Sequence, residues 1–275
     1  MAENDIAPGY YQGIPNEDYH KGSGVSKSQL DLINKSPSLF QWSKTAPEDE
    51  EKKTALNVGD ACHALILEPH RFDAEYAIGP DAPKNTKAGK DAWAKFEESL
   101  GKRQVLTFSE GRKVKLIRES VMAHPLARQL IEAPGDVEAS IYWNDETTGR
   151  LCRCRPDKTL TELGWLVDLK STADMGKFAR SVADYRYHVQ DAFYSDGYAA
   201  HFGQQPQGFL FVAFSTSIEC GKYPVRVFQL DQQARTQGRF EYQRNMAVYD
   251  ECLRTGVWRG IESLSLPYWA QKEAS

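Results

Sequence analysis

Three side chains of this sequence have the types and the spacing for metal-dependent hydrolysis. Pro156-Asp157 is followed, after ten residues, by Asp168-Leu169-Lys170. Asp168 and Lys170 stand two apart in the apolar run Trp165-Leu166-Val167-Asp168-Leu169-Lys170, which predicts a buried strand. Side chains alternate faces along a strand, so Asp168 and Lys170 share one face while Trp165, Val167 and Leu169 enter the opposite layer. Charged groups at the end of a buried strand are costly unless something pairs them. A divalent cation does this for a carboxylate, and a neighbouring lysine adds positive charge. A hairpin-like return would bring Asp157 against Asp168. Two carboxylates and a lysine at one sheet edge are the parts of a hydrolytic metal site. A purely structural Asp–Lys pair has the same spacing, so the reading depends on the elements around it.

Those elements can be read from pattern. Residues 1–25, rich in Gly, Pro and Tyr, read as an extended N-terminal arm lying on the body. A helix begins at Ser26, an N-cap whose box is completed by Gln29, and Leu30, Ile33, Leu39, Phe40 and Trp42 supply its apolar side and that of its continuation. Residues 47–53 read as a solvated charged loop, and Ala55 to Leu67 as a second helix carrying Gly59 and His63 on one face. A basic loop over 79–90 leads to a helix with Trp93, Phe96 and Leu100 as its core stripe, and 109–131 is helical with a split near Pro125. Val137 to Trp143 alternates, placing Glu138, Ser140 and Tyr142 on one face. Leu151 to Asp157 forms the second strand of a hairpin, with Arg153, Arg155 and Asp157 sharing a face, and 163–170 the third strand. A helical region from about Met175 to His201, strands at Gln207–Ser215 and Tyr223–Leu230, and a long helix capped by Asp231 complete the chain. This order predicts one α/β domain over residues 1–275, a mixed central β-sheet flanked by helices.

Composition narrows the classes. At 275 residues with 41% hydrophobic content the chain has ample length for a core, and no apolar run is long enough to span a membrane. Cys62, Cys152, Cys154, Cys220 and Cys252 are an odd, scattered set without zinc spacing, which suits a reducing cytoplasm. A net charge of −4 argues against a protein that simply coats nucleic acid, but leaves room for a local DNA-binding cleft.

The constellation resembles the PD-(D/E)xK (restriction-endonuclease-like) nuclease core: Pro156-Asp157, then Asp168-Leu169-Lys170. Gly59-x-x-x-His63 upstream resembles the histidine element of the RecB-type and RecE-type branch, and Gln190-x-x-x-Tyr194 its Q-x-x-x-Y element. Asn16-Glu17-Asp18-Tyr19-His20, Ser26-Lys27-Ser28-Gln29-Leu30, Cys152 to Lys158 and Tyr185 to Tyr194 are all similar to the nuclease domain of the RecE (exonuclease VIII) family, over about residues 8–270. The resemblance implies a Mg²⁺-dependent 5′→3′ exonuclease, with Mn²⁺ as substitute, that digests one strand of linear duplex DNA from its ends and leaves 3′ overhangs. It implies a homo-oligomeric ring, a tetramer rather than the trimer of the lambda-exonuclease type, and a single-strand annealing protein of the RecT type as partner.

On that footing Asp157 and Asp168 are metal ligands, with the Leu169 backbone carbonyl as a further one and His63 serving a second ion. Lys170 orients or deprotonates the attacking water. Gln190 and Tyr194 position substrate backbone or water, and Glu138 is a further carboxylate in reach of the metal. Ser26 and Ser28, at a helix N-terminus, and Arg153 and Arg155, beside Asp157, are candidate phosphate contacts; capping explains Ser26 equally well, and charge pairing the arginines. Two other classes share these residues: a site-specific endonuclease on the same core, and a non-catalytic DNA-end module that has kept the fold.

Overall fold

The computed structural model describes residues 6–47, 58–261, 263–267 and 270–271. The chain opens with β1 (Gly9–Tyr11), α1 (Asn16–Lys21), α2 (Lys27–Lys35) and α3 (Pro37–Ser43). Then come α4 (Val58–Leu67), α5 (Pro69–Glu75), β2 (Tyr76–Ile78), α6 (Lys87–Leu100), β3 (Gln104–Leu106), α7 (Phe108–Ala123) and α8 (Pro125–Glu132). The strands β4 (Asp136–Val137), β5 (Ser140–Asn144), β6 (Leu151–Cys154), β7 (Lys158–Leu160) and β8 (Trp165–Thr172) follow in series. A 3₁₀ turn (Met175–Lys177), α9 (Phe178–Asp184), α10 (Tyr187–Phe202), β9 (Gly208–Ser215), β10 (Val225–Gln229) and α11 (Gln232–Thr255) complete it. Of the expected loop over 47–53, residues 48–53 lie outside the described residues, as do residues 55–57 of the helix expected from Ala55.

The main sheet runs β10-β9-β8-β7-β4, with β8 and β9 parallel and the other pairs antiparallel. It is the mixed, helix-flanked sheet expected. Every residue of β9 is buried, because helices cover both faces of this parallel pair. The two faces feed two cores. Leu166, Phe209, Phe211 and Ala213 pack against Val189, Ala192 and Phe193 of α10 and Tyr242 and Met246 of α11. Val167, Leu169, Leu210, Val212 and Phe214 pack against Ala61, Cys62 and Ile66 of α4 and Val114, Ile117 and Val121 of α7. Each such apolar side chain contributes about 1.5–3 kcal/mol by leaving water. The alternation in β8 thus pins Asp168 and Lys170 to the α10 side, since a one-residue slip would bury both among the α4–α7 hydrophobes.

Several expectations need correction. The strand read as Val137–Trp143 is broken at Glu138, whose φ of 54° lets the chain leave the main sheet after β4 and enter the antiparallel β1-β5-β6 sheet. Ser140 through Trp143 are then all buried, so the polar face assigned to Ser140 and Tyr142 does not exist. The strand read as Leu151–Asp157 ends at Cys154 and resumes in the main sheet at Lys158. The arm lies along the body but is not extended throughout, since Asn16–Lys21 is helical; β1 pairs with β5, Tyr19 is buried, and Tyr10 donates to Asp136 (2.8 Å). Trp93 and Phe96 of α6 are only half buried and meet their own neighbourhood, Trp93 donating to the Ala82 carbonyl (2.9 Å) under Lys84. Trp42 is exposed. The helical span from Met175 is cut between Asp184 and Tyr187, with Arg186 left-handed at φ 56°, ψ 44°. The Ser26–Gln29 capping box and the Asp231 cap form as expected. All five cysteines are free. Among the described residues no helix is long and apolar enough to cross a membrane.

Candidate active site

The β7–β8 hairpin sets the geometry. Lys158 lies opposite Val167, so the residue before Lys158 is delivered to Asp168 and Leu169. Asp157 Oδ2 accepts the Leu169 backbone N–H at 2.6 Å. Asp168 Oδ2 meets Lys170 Nζ at 2.5 Å, and its Oδ1 accepts from Gln190 Nε2 of α10 at 2.6 Å. From the other side of the sheet α4 presents His63, whose Nδ1 is 3.4 Å from Asp157 Oδ2. Asp157, Asp168, Lys170, Gln190 and His63, spread over 128 positions of chain, therefore converge on one sheet margin. Asp168 is almost fully enclosed, with 3% of its side chain exposed, whereas Asp157, Lys170 and His63 retain 16%, 18% and 28%. The mouth of the site is thus formed by those three.

Its electrostatics favour a cation. Burial, reinforced by the charge of Asp168, pushes the Asp157 carboxyl well above the ordinary carboxylate range. Burial on its own would depress the Lys170 ammonium, but Asp168 and Asp157 together outweigh it and hold Lys170 above its usual value. Burial lowers His63 to about 4, so its imidazole is neutral at pH 7 and free to act as a donor to a metal. Two carboxylates thus face a single permanent positive charge. The Oδ2 atom of Asp168 is buried without a well-aligned hydrogen bond, its Lys170 contact notwithstanding. Hard oxygen donors short of one positive charge fit Mg²⁺ or Mn²⁺.

Among the described residues no three His, Cys, Asp or Glu side chains close into a ready metal cage. His63 therefore stands beside the carboxylate pair without completing a ligand set. The arrangement suits an ion that keeps several waters and takes substrate phosphate oxygens, held by one or two carboxylates, as Mg²⁺ commonly is.

The remaining candidates divide. Tyr194 lies one helical turn beyond Gln190, edge-on to Phe209 at 6.0 Å, and its phenol is raised by burial and by surrounding acids that include Asp168 and Asp157. Glu138 sits at the chain's corner, its N–H donating to the Asp157 carbonyl (3.1 Å). Its carboxylate lies 3.9 Å from Arg71 and 3.8 Å from Arg155, lining a cavity of about 710 Å³ beside the site. Burial raises its pKa despite those arginines. Ser26 Oγ caps α2 and is 3.0 Å from Ser28 Oγ. Arg153 is only 2% exposed, its guanidinium bound to the carbonyls of Gly22, Ser23 and His20; a phosphate contact there is ruled out by burial. Arg155 donates to Ser140 Oγ (2.9 Å) and the Ile14 carbonyl (3.0 Å) and lies over the Tyr19 ring. Both arginines fasten the arm to the body.

Two neighbours escaped the sequence reading. Tyr187 places its ring 4.7 Å from Lys170 Nζ, and Arg71 bonds Glu68 and Glu75 beside Glu138. Tyr187 lies in the Tyr185–Tyr194 stretch that carries the family resemblance, but nothing in that stretch assigns it a place beside Lys170.

Comparison with known proteins agrees with this architecture. A protein of Eubacterium rectale provisionally named an exonuclease superposes with a TM-score of 0.61 at 12% identity, over 90% of this chain and 88% of its own. A phage-related exonuclease from Haemophilus somnus 129PT (14% identity; 85% and 96% covered) and an alkaline exonuclease from Laribacter hongkongensis (14%; 71% and 91%) superpose at TM-scores of only 0.34 and 0.30. No curated protein matches the sequence. The family model described as a PDDEXK-like domain of unknown function (DUF3799) matches residues 26–261, and the chain belongs to that family.

Proposed function

We propose that the protein is a Mg²⁺-dependent 5′→3′ exonuclease of the RecE type. It acts on linear double-stranded DNA and leaves 3′ overhangs for strand annealing. The observation that carries the nuclease reading is the convergence of Asp157, Asp168 and Lys170, with Gln190 locked onto Asp168. End-dependence, polarity and the overhang rest on the sequence resemblance, as do a ring-shaped homo-oligomer, with four subunits favoured, and an annealing partner of the RecT type.

In this reading Asp157, Asp168 and the Leu169 carbonyl hold the ion, and neutral His63 serves a second. The bound ions supply an acidified water and neutralise charge on the scissile phosphate. Lys170, kept as an ammonium by Asp168 and Asp157, would orient that water and offset charge growing on the phosphate oxygens. Gln190 fixes the Asp168 carboxylate in one rotamer, as outer partners of metal ligands commonly do. Tyr194 stiffens the same helical face, and Glu138 is a reserve carboxylate at the cavity wall. Ser26 and Ser28 offer hydroxyls to a terminal phosphate.

A linear duplex labelled separately at each strand's 5′ and 3′ end, followed in Mg²⁺ beside a covalently closed plasmid, tests the reading. Loss of 5′ label as mononucleotide with the plasmid intact is the expected result. Discrete plasmid fragments would instead identify an endonuclease, and no cleavage at all a DNA-end module.

A further inference from the structure

The segment between α9 and α10 is built in an unusual way. Residues two apart on a helix do not face each other, so Tyr185 and Tyr187 could not stack in a continuous helix. Left-handed Arg186 breaks the helix between them, and the rings stack at 5.7 Å with planes 24° apart. A non-glycine residue in this region is strained and persists only where its surroundings hold it. Here Arg186 Nε donates to Asp31 (2.9 Å), its guanidinium pairs with Glu241 (3.1 Å), and Lys27 donates to the Tyr185 carbonyl (2.7 Å). Four side chains from α2, α11 and the bend itself thus fix one pair of rings.

The pair leads to the catalytic lysine. Tyr187 stacks inward on buried Phe211 (5.7 Å) and lies 4.7 Å from Lys170 Nζ. Tyr185, the outermost ring of this column, is 63% exposed. An exposed tyrosine on a rigid bend is a poor use of strain unless something stacks on it. Nucleobases stack on aromatic rings irrespective of sequence, which suits an enzyme that must act on any end.

Resting on the nuclease reading above, we infer that Tyr185, backed by Tyr187, is a stacking platform for the nucleobase next to the scissile phosphate. It positions the strand so that the phosphate meets Lys170; it touches no reacting atom.

Blunt duplexes carrying one abasic site at successive positions from the 5′ end test this with wild type, Tyr185→Ala and Tyr185→Phe. Removing the stacked base raises the wild-type KM about tenfold, the scale of one base–aromatic contact. Tyr185→Ala shows that loss on intact duplex and is indifferent to the abasic site, whereas Tyr185→Phe, which keeps the ring, behaves as wild type. An unchanged KM in Tyr185→Ala, or an abasic penalty that persists in it, overturns the inference. So does a change in assembly mass with an unaltered abasic response, because the ring is then a subunit contact. With Ca²⁺ replacing Mg²⁺, 2-aminopurine at the same position is quenched by wild type and Tyr185→Phe and not by Tyr185→Ala. That readout needs no cleavage: a wild type that cuts nothing defeats the nuclease reading, and quenching alone then decides the platform.

Discussion

Helix α10 separates two buried acidic clusters that use opposite electrostatic solutions. Gln190 points to one, and the next residue, Asp191, to the other. In the second cluster Asp191 receives Arg235 (3.1 Å) and Ser195 (3.2 Å), and Asp196 receives both arms of Arg239 (2.8 and 2.6 Å) and Tyr242 (2.5 Å). Two carboxylates meet two arginines: the planar fork of Arg239 takes both oxygens of Asp196, while Arg235 reaches Oδ1 of Asp191 and leaves its buried Oδ2 without a hydrogen bond. Burial alone would raise Asp196, yet the Arg239 and Tyr242 bonds hold it below the usual carboxylate range. In the first cluster Asp157 and Asp168 have only Lys170, since His63 is neutral, and Asp157 is driven upward. Burial of acids is common to both; the deficit of positive charge belongs to one. On the proposed reading, that deficit is what would draw a divalent ion to one cluster and leave the other a strut between two helices.

Substitutions should separate the clusters in kind. Lys170→Ala is expected to lower kcat by about 10²–10⁴-fold while the protein remains folded, on the scale of a lost general acid–base or charge-stabilising group. Single-turnover cleavage of a linear duplex measures it, and a variant within tenfold of wild type would erase the distinction. Arg235→Ala should do the reverse. It strips Asp191, whose side chain is fully enclosed, of its cation and should cost about 3–5 kcal/mol of stability. Urea unfolding reads that loss, with cleavage per folded molecule unchanged.

Gln190→Ala sharpens the comparison at the boundary. Loss of the 2.6 Å bond frees Asp168 to rotate, which should weaken divalent-ion affinity about 10–100-fold with little effect on unfolding. Titration of Mn²⁺ checks it. The smallest effect is a pH dependence in the strut. Burial pushes Asp191 up to about 6 against the pull of Arg235. The folded state therefore holds this proton more tightly than the unfolded one, so stability is greatest below the ordinary carboxylate range and declines as pH rises through about 6. That slope should be the same with chelator or Mg²⁺ and should flatten in Asp191→Asn.

What pattern could reveal, and what it could not, follows the range of the forces involved. The period-two alternation of β8 exposed Asp168 and Lys170 because the hydrophobes on the other face leave no second register. The Ser26 box was legible because a cap is local. Glu138 was misplaced because a left-handed corner depends on which sheet each flanking segment joins, and no short-range signal carries that. The sequence offers Arg153 and Arg155 as phosphate contacts or as charge partners of the carboxylates, and both instead bind backbone carbonyls of the arm. Nothing in their own strand announces that the carbonyls of residues 14–23 will fold over them. Tyr187 reaches Lys170 through the bend at Arg186, a left-handed break that no local periodicity announces.

The charge-deficit account is tested most directly by Mn²⁺ uptake in chelator-stripped protein, measured calorimetrically with a blunt duplex oligonucleotide present. Wild type and Arg235→Ala should take up the ion saturably, and Asp168→Asn should not. Equal uptake by Asp168→Asn, or none by wild type, would contradict the account.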